Sequence, residues 1–167
     1  MRPVVWVVLL LVSFTAVASA QMTRYPPLEN YLMAKDAEIG LARSAAPDTI
    51  SSRATIKILT RTGYEVAHQG DNGFVCLVMR GWSGPTYTPA ALRAVAYDAT
   101  VRAPICFDTE AARTVLPYYE LKTKLGMAGK TPDEIASAVD AAYKKGDLPK
   151  RNSVAFGYMG SHPAGRP

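Results

Sequence analysis

The sequence contains few of the residues that bind metal ions or act as nucleophiles. It has two histidines, His68 and His162, and two cysteines, Cys76 and Cys106, among 167 residues. Neither pair has the CxxC or HxxxH spacing of a metal site, and no glycine-rich loop is present that would hold a phosphate. Ser83 lies in only a partial match to the nucleophile-elbow pattern. We therefore expect no metal and no cofactor.

Long apolar runs are missing after the first 20 residues, so we expect no membrane span in the rest of the chain. Residues 4–17 are almost entirely apolar and lead to Ala18-Ser19-Ala20, the small-residue pattern that signal peptidase recognises. A run of about 15 residues is shorter than the roughly 20 that cross a bilayer. Residues 1–20 are therefore predicted to be a signal peptide, with export to the periplasm or secretion. A retained membrane anchor is the alternative.

Clustered positive charge is scarce, although the formal net charge is +5. The basic residues are scattered, and the only doublets are Lys144-Lys145 and Lys150-Arg151. This pattern is typical of a solvated surface rather than of a surface that binds nucleic acid. An envelope polymer or a protein remains possible as a partner.

The two cysteines are expected to form a disulfide, because exported chains with an even number of cysteines usually pair them. A Cys76–Cys106 bond closes a loop of about 30 residues and stabilises the fold by roughly 3 kcal/mol in the chain-entropy model. Two buried free thiols are the alternative. A nucleophilic pair of Cys76 and His68 is disfavoured, because strand alternation places these residues on opposite faces of the sheet.

Alternating apolar residues predict three strands after an N-terminal helix that extends from Pro27 to about Ser44. The strands cover residues 54–60, 64–68 and 74–79, and the turns between them are Thr62-Gly63 and residues 70–73. Placing Thr60 opposite Tyr64 gives one apolar core face. Its residues are Ile56, Ile58, Tyr64, Val66, Val75 and Leu77. The third strand is continuously apolar, and we expect it to be buried on both faces.

The second half of the chain is predicted to add helices and up to two more strands. Residues 103–107 form a short edge strand, a helix starts near Thr109 and is interrupted at Pro117, and residues 153–159 form a last strand. Thr131-Pro132-Asp133-Glu134 is a helix start with a capping box, and Gly146 ends that helix. The prediction is an α+β fold: an antiparallel β-meander of three to five strands with helices packed on one face. One domain covers residues 21–159, and residues 160–167 are a flexible tail.

Several segments carry a resemblance to a known family. They are Tyr31-Leu32-Met33-Ala34-Lys35-Asp36-Ala37-Glu38-Ile39, Gly63-Tyr64-Glu65-Val66, Asn72-Gly73-Phe74-Val75-Cys76-Leu77-Val78, Pro104-Ile105-Cys106 and Leu116-Pro117-Tyr118-Tyr119. Together they resemble a family of uncharacterised secreted bacterial proteins with no assigned activity. The resemblance covers about residues 28–142 and implies no catalytic or ligand-binding residues. It also implies a His-containing strand after this C-terminus, from which residues 160–167 depart.

Two groups of residues are candidates for a functional site. Asp108 and Glu110 are a carboxylate pair that could serve acid–base catalysis, but acidic residues at a helix start more often stabilise the helix. The irregular segment of residues 80–102 is the better candidate, because long loops on a small scaffold often carry function. Its aromatic residues suit stacking on a sugar or a peptide, and its arginines suit an anion. The predicted ligand-binding residues are Arg80, Trp82, Tyr87, Tyr97 and Arg102.

These observations favour an exported, non-enzymatic binding module at the cell envelope. The alternative for residues 80–102 is a structural role, in which the same aromatic residues cover the edge of the sheet. Two other functions remain open. One is an envelope hydrolase that uses the carboxylates near Asp108 and Glu110. The other is a structural subunit that pairs with a partner strand through a sheet edge.

Overall fold

The structure is a computed structural model that describes residues 25–83, 92–93, 95–150 and 157–159, and a five-stranded mixed sheet forms its centre. The strand order is β2-β1-β3-β4-β5, and every neighbouring pair is antiparallel except β1 and β3. The α+β class is confirmed. The strands are β1 Thr55–Thr60, β2 Gly63–His68, β3 Val75–Met79, β4 Ala103–Phe107 and β5 Gly157–Met159.

The helices begin and end largely where the sequence signals place them. Thr131 accepts a hydrogen bond from the backbone of Glu134 in a capping box, and Gly146 ends the same helix with a φ of 81°. Pro117 lies in the first turn of a new helix, as its missing N–H group favours. The helices are α1 Lys35–Arg43, α2 Asp48–Ser51, α3 Thr109–Thr114, α4 Leu116–Met127 and α5 Pro132–Lys145, and 3-10 turns cover Leu28–Tyr31 and Gly81–Ser83.

The predicted meander is wrong at its second turn, because β3 lies beside β1 and parallel to it. Residues 69–74 do not form a hairpin tip; they cross the start of β1. At the crossing, a Cβ atom on Gly70 would lie 2.2 Å from the carbonyl oxygen of Arg53, so only glycine fits there. The Thr55 N–H donates to the Phe74 carbonyl at 2.9 Å, and Asp71 forms an ion pair with Arg53. These bonds fix the crossing and replace the expected reversal.

The predicted register of the first hairpin is also shifted by one residue. Thr60 pairs with Gly63 and Lys57 pairs with Val66, followed by an irregularity between Ile56 and Lys57. A shift of one residue moves each side chain to the other face of the sheet. Val66, predicted to be in the core, is therefore 52% exposed.

Helices pack on both faces of the sheet, whereas the sequence predicted helices on one face. Cys76 and Val78 point to one side and pack with Ala42 of α1. Leu77 and Met79 point to the other side, where they pack in a cluster with residues of α3, α4 and α5. The expectation that β3 is buried on both faces is confirmed by this arrangement.

The Cys76–Cys106 disulfide joins β3 to β4 in the middle of the sheet. The two cysteines are directly paired in the antiparallel register, with Cα atoms 3.9 Å apart, and both are buried. The bond therefore fixes the pairing of two strands that are 30 residues apart in the sequence.

Candidate functional site

The N-terminal segment Tyr25–Tyr31, which we call the strap, lies across one end of the sheet. Pro26 and Pro27 follow Tyr25, and residues 28–31 form the first 3-10 turn. The helix predicted from Pro27 to Ser44 is broken after Tyr31, because Leu32 is extended with a ψ of 154°. The break separates the strap from α1 and allows it to follow its own course.

Arg80 and Trp82, both predicted ligand-binding residues, hold the strap at Tyr31. The Arg80 Nε donates to the Tyr31 carbonyl oxygen at 2.7 Å. In a continuing helix that oxygen would accept the N–H of Lys35, so the arginine accounts for the helix break. The Trp82 ring stacks on the Tyr31 ring with centroids 4.1 Å apart. Both Arg80 and Trp82 are buried.

Tyr97 and Arg102 also contact the strap. The Tyr97 ring stacks on the Tyr25 ring at 3.4 Å, and the Tyr97 carbonyl oxygen accepts the Tyr31 hydroxyl at 2.9 Å. The Arg102 Nη2 donates to the Asn30 carbonyl oxygen at 2.9 Å.

The four residues Arg80, Trp82, Tyr97 and Arg102 thus surround the strap, and we call them the strap groove. The fifth predicted residue, Tyr87, lies outside the described residues. The predicted exposed aromatic patch therefore does not include Trp82, which is part of the core.

A buried ion pair supports the groove from below. The Arg80 Nη2 lies 2.9 Å from the Glu38 Oε1, and the two side chains are 0% and 1% exposed. The same carboxylate oxygen accepts the Leu59 N–H at 3.0 Å, because β1 and β3 pair only at their first residues and then diverge. Arg80 also donates through Nη1 to the Val78 carbonyl oxygen at 2.5 Å. The pair thus fills the gap between β1 and β3 and fixes the guanidinium that holds the strap.

Helix α4 forms the back wall of the groove. A Cβ atom on Gly126 would lie 2.3 Å from the Trp82 ring, so the glycine allows the indole to lie against the helix backbone. Ser83 and Thr123, both buried, are hydrogen bonded to each other at 2.5 Å and join the second 3-10 turn to α4. Packing against α4 therefore fixes the position of the Trp82 ring.

Burial governs the acid–base properties of the groove. It raises the pKa of Tyr31 to about 12, and the charge of Asp98 adds to the effect. Burial also raises the pKa of Tyr97. It lowers the pKa of Arg102, and the neighbouring cation Arg80 lowers it further. The phenols accordingly stay neutral at ordinary pH.

Asp108 and Glu110 stabilise a helix, as the alternative to a catalytic pair predicted. The Asp108 side chain caps α3 by accepting the Ala111 N–H at 2.7 Å. Glu110 forms an ion pair with Arg113 on the same helix at 2.6 Å. Within the described part of the chain, no group of three or more potential ligands from His, Cys, Asp and Glu could hold a metal ion.

Another ionisable group lies in the core away from the groove. Lys122 of α4 is 1% exposed, and its Nζ lies 5.1 Å from the centre of the Tyr118 ring. Burial lowers the pKa of Lys122 to about 8.

Comparisons with known proteins add no family to this geometry. No family model, curated protein or solved structure matches the chain. The resemblance to uncharacterised secreted proteins therefore stays a prediction. No helix in the described ranges is long and apolar enough to cross a membrane.

Sequence reasoning identified the walls of the groove but missed its occupant and its support. The sequence predicts that most of the strap is the start of a long helix, although Tyr25-Pro26-Pro27 is a sign of a separate segment. Glu38 was not among the predicted site residues. Its signal is its position one helical turn before the buried Ala42, which places a carboxylate on the apolar face of α1.

Proposed function

We propose that the protein is an exported, non-enzymatic binding module that holds a short peptide segment of a partner protein in the strap groove. The observation that carries this proposal is that the groove already holds a peptide segment. All four described residues of the predicted ligand-binding set contact the strap, and they do so through ring stacking and through main-chain carbonyls.

The contacts define the kind of peptide that fits. Two aromatic rings, those of Tyr25 and Tyr31, stack on Tyr97 and Trp82, and two prolines stiffen the backbone between them. A stiff proline-led segment loses little conformational entropy on binding, and aromatic-lined grooves commonly recognise such segments. The partner segment should therefore resemble the strap, with aromatic residues six positions apart and proline between them.

Export is supported by two features. The predicted signal peptide precedes the strap in the sequence, and the Cys76–Cys106 disulfide is of the kind that persists in oxidising compartments.

The other two functions gain less support. Asp108 caps a helix and Glu110 forms an ion pair, so the two carboxylates predicted for the hydrolase have structural roles. Strand β2 has a strand on one side only within the described residues, so it offers an edge. That edge carries the exposed Glu65 and an irregular register, which are features that hinder strand pairing.

A peptide-binding measurement on the full exported chain tests the proposal. The variant Tyr31→Ala removes the ring from Trp82 and the hydroxyl from the Tyr97 carbonyl, so the chain's own strap is weakened. A fluorescent, end-capped peptide with the sequence of residues 25–32 is then titrated and followed by anisotropy. We expect the variant to bind the peptide at least about tenfold more tightly than the wild type, whose strap competes at an effective concentration of the order of 1 mM.

The matched control is the same peptide with alanine in place of both tyrosines, which should not bind. If folded Tyr31→Ala does not bind the tyrosine peptide, the proposal is wrong. Should that variant not fold alone, the peptide is expected to restore its circular dichroism, and a lack of restoration counts against the proposal. Tyr25→Ala removes the stack on Tyr97 and provides a second, milder variant.

A further inference from the structure

An extended linker, Leu32–Ala34, joins the strap to the rest of the domain. Leu32 has a ψ of 154°, and Ala34 is extended with a φ of −60° and a ψ of 136°. Leu32 packs in the same cluster as the strap, whereas Met33 packs in the cluster that contains Ala42 of α1. The packing therefore changes between Leu32 and Met33, and this bond is the boundary between the strap and the body of the domain.

The hydrogen bonds at the two ends of the linker lie within the adjoining elements. The Leu32 N–H donates to the Glu29 carbonyl oxygen at 3.2 Å, inside the strap. The Ala34 carbonyl oxygen accepts the Glu38 N–H at 2.9 Å, at the start of α1. A rotation about the linker therefore leaves the strap and α1 intact. Short segments at the end of an element are the usual hinges of proteins, because they absorb changes of φ and ψ.

The body of the domain contacts three side chains of the strap at a fixed spacing. Tyr25 and Tyr31 stack on aromatic rings, and between them Glu29 forms an ion pair with Arg61 at 2.6 Å. A second copy of the chain presents the same three side chains at the same spacing. When two copies exchange their straps, every contact of the strap is kept, and this is why exchange of an identical element is a low-cost route to a dimer.

The length of the linker determines where two copies would meet. Three extended residues reach about 10 Å, so the copies must approach each other at the start of α1. Residues 34–37 at this point are exposed. Lys35 and Asp36 carry opposite charges there, so that across a two-fold axis each copy presents both signs of charge to the other.

We propose that the partner of the strap groove is a second copy of this chain and that the two copies exchange their straps. This inference rests on the proposed function, because it names the partner of the same site. The contacts are the same in the closed and the exchanged form. The effective concentration of a chain's own strap, on the order of 1 mM, therefore sets the protein concentration at which the two forms are equally populated.

Crosslinking between two differently tagged copies of the full exported chain tests the exchange. The donor carries Glu29→Cys, the acceptor carries Arg61→Cys, and a short bismaleimide joins them when the donor's strap lies in the acceptor's groove. Cys76 and Cys106 do not react, because they form the buried disulfide. At about 100 µM of each copy we expect about a tenth of the chains to be crosslinked. Tyr31→Ala in the acceptor should raise this yield, because the acceptor's own strap then competes less.

Arg53 and Asp71 provide the matched control. They also form an exposed ion pair, at 2.9 Å, but both residues lie in the body of the domain. A mixture of Arg53→Cys and Asp71→Cys chains should give only the crosslinks of random collision, about tenfold fewer than the strap pair gives. Tyr25→Ala in the donor should lower the yield of the strap pair, because the altered strap competes less well with the acceptor's own strap.

The outcomes distinguish the two proposals. A yield for the strap pair that exceeds the control and falls with Tyr25→Ala supports the exchange. If the strap pair gives no more crosslinks than the control, or if Tyr25→Ala leaves its yield unchanged, the exchange is wrong. The titration with the free peptide of residues 25–32 then decides the proposed function separately. A peptide that binds leaves peptide binding in place, and a peptide that does not bind refutes both proposals.

Discussion

Removal of the Glu38 carboxylate is the most direct perturbation of the groove. Glu38→Ala leaves the buried Arg80 without its ion-pair partner and the buried Leu59 N–H without its acceptor. Arg80 keeps its hydrogen bonds to two carbonyl oxygens, but these do not neutralise its charge. The variant should therefore be strongly destabilised, although it alters no residue that touches the strap.

The magnitude follows from the burial of both groups. Breaking a buried ion pair by removing one partner typically costs about 3–5 kcal/mol. The whole domain is expected to be stable by only about 5–15 kcal/mol. With a shift of about 3 °C per kcal/mol for a domain of this size, the midpoint of thermal unfolding should fall by about 10 °C. Glu38→Gln keeps an acceptor for Leu59 and should lose about half as much.

Urea unfolding followed by circular dichroism measures these differences with the disulfide intact. Glu29→Ala is the control, because the ion pair of Glu29 with Arg61 is exposed and should contribute no measurable stability. Replacing both partners, Glu38→Leu with Arg80→Met, should recover only the part of the loss that comes from the unpaired charge, because the Leu59 N–H and the carbonyls of Tyr31 and Val78 stay without these partners. A free energy of unfolding for Glu38→Ala within about 1 kcal/mol of the wild type would refute the reasoning.

Three further predictions concern the core. Replacing Cys76 and Cys106 with alanine opens the 30-residue loop and should lower the free energy of unfolding in urea by about 3–4 kcal/mol; an unchanged value would contradict it. Gly126→Ala places a Cβ atom 2.3 Å from the indole and should destabilise by about 1–3 kcal/mol, whereas Gly40→Ala, with nothing within 4 Å, should raise the melting temperature. Equal effects would count against this packing. Burial lowers the pKa of Lys122 from 10.5 to about 8 in the folded chain. Between these two pH values the unfolded chain therefore binds a proton on Lys122 that the folded chain does not bind. Stability should therefore rise from pH 8 towards pH 10, before the buried tyrosines ionise in the unfolded chain, and Lys122→Met should abolish the rise.

Local signals in the sequence predicted the elements better than their arrangement. The capping box at Thr131, the cap at Gly146 and the strand at residues 103–107 are all present, because each depends on neighbouring residues. The prediction that this strand lies at the edge of the sheet is wrong, since β4 pairs with β3 on one side and with β5 on the other. The crossing at Gly70 was not predictable in the same way. Glycine, aspartate and asparagine favour a tight turn wherever they occur, and only contact with the backbone of β1 distinguishes a crossing from a hairpin.

The candidate site was predicted in part for a related reason. Residue types singled out Arg80, Trp82, Tyr97 and Arg102 as able to hold a ligand, and the structure brings them together. The burial of Arg80 and Trp82 was not predicted, because it depends on contacts with the strap, α1 and α4, which lie far away in the sequence. Charge patterns alone did not show that an arginine and a glutamate meet in the core, since isolated charged residues are most often exposed.

The strap is the first described segment of the chain, and its partners come much later. Its contacts with Arg80, Tyr97 and Arg102 join residues that are 49, 66 and 72 positions apart. Because a chain is synthesised from its N-terminus, the strap is made well before the residues of the groove. Contacts of such long sequence separation close late. The strap is therefore expected to dock late in folding. Until it docks, its tyrosines and prolines are exposed to other proteins.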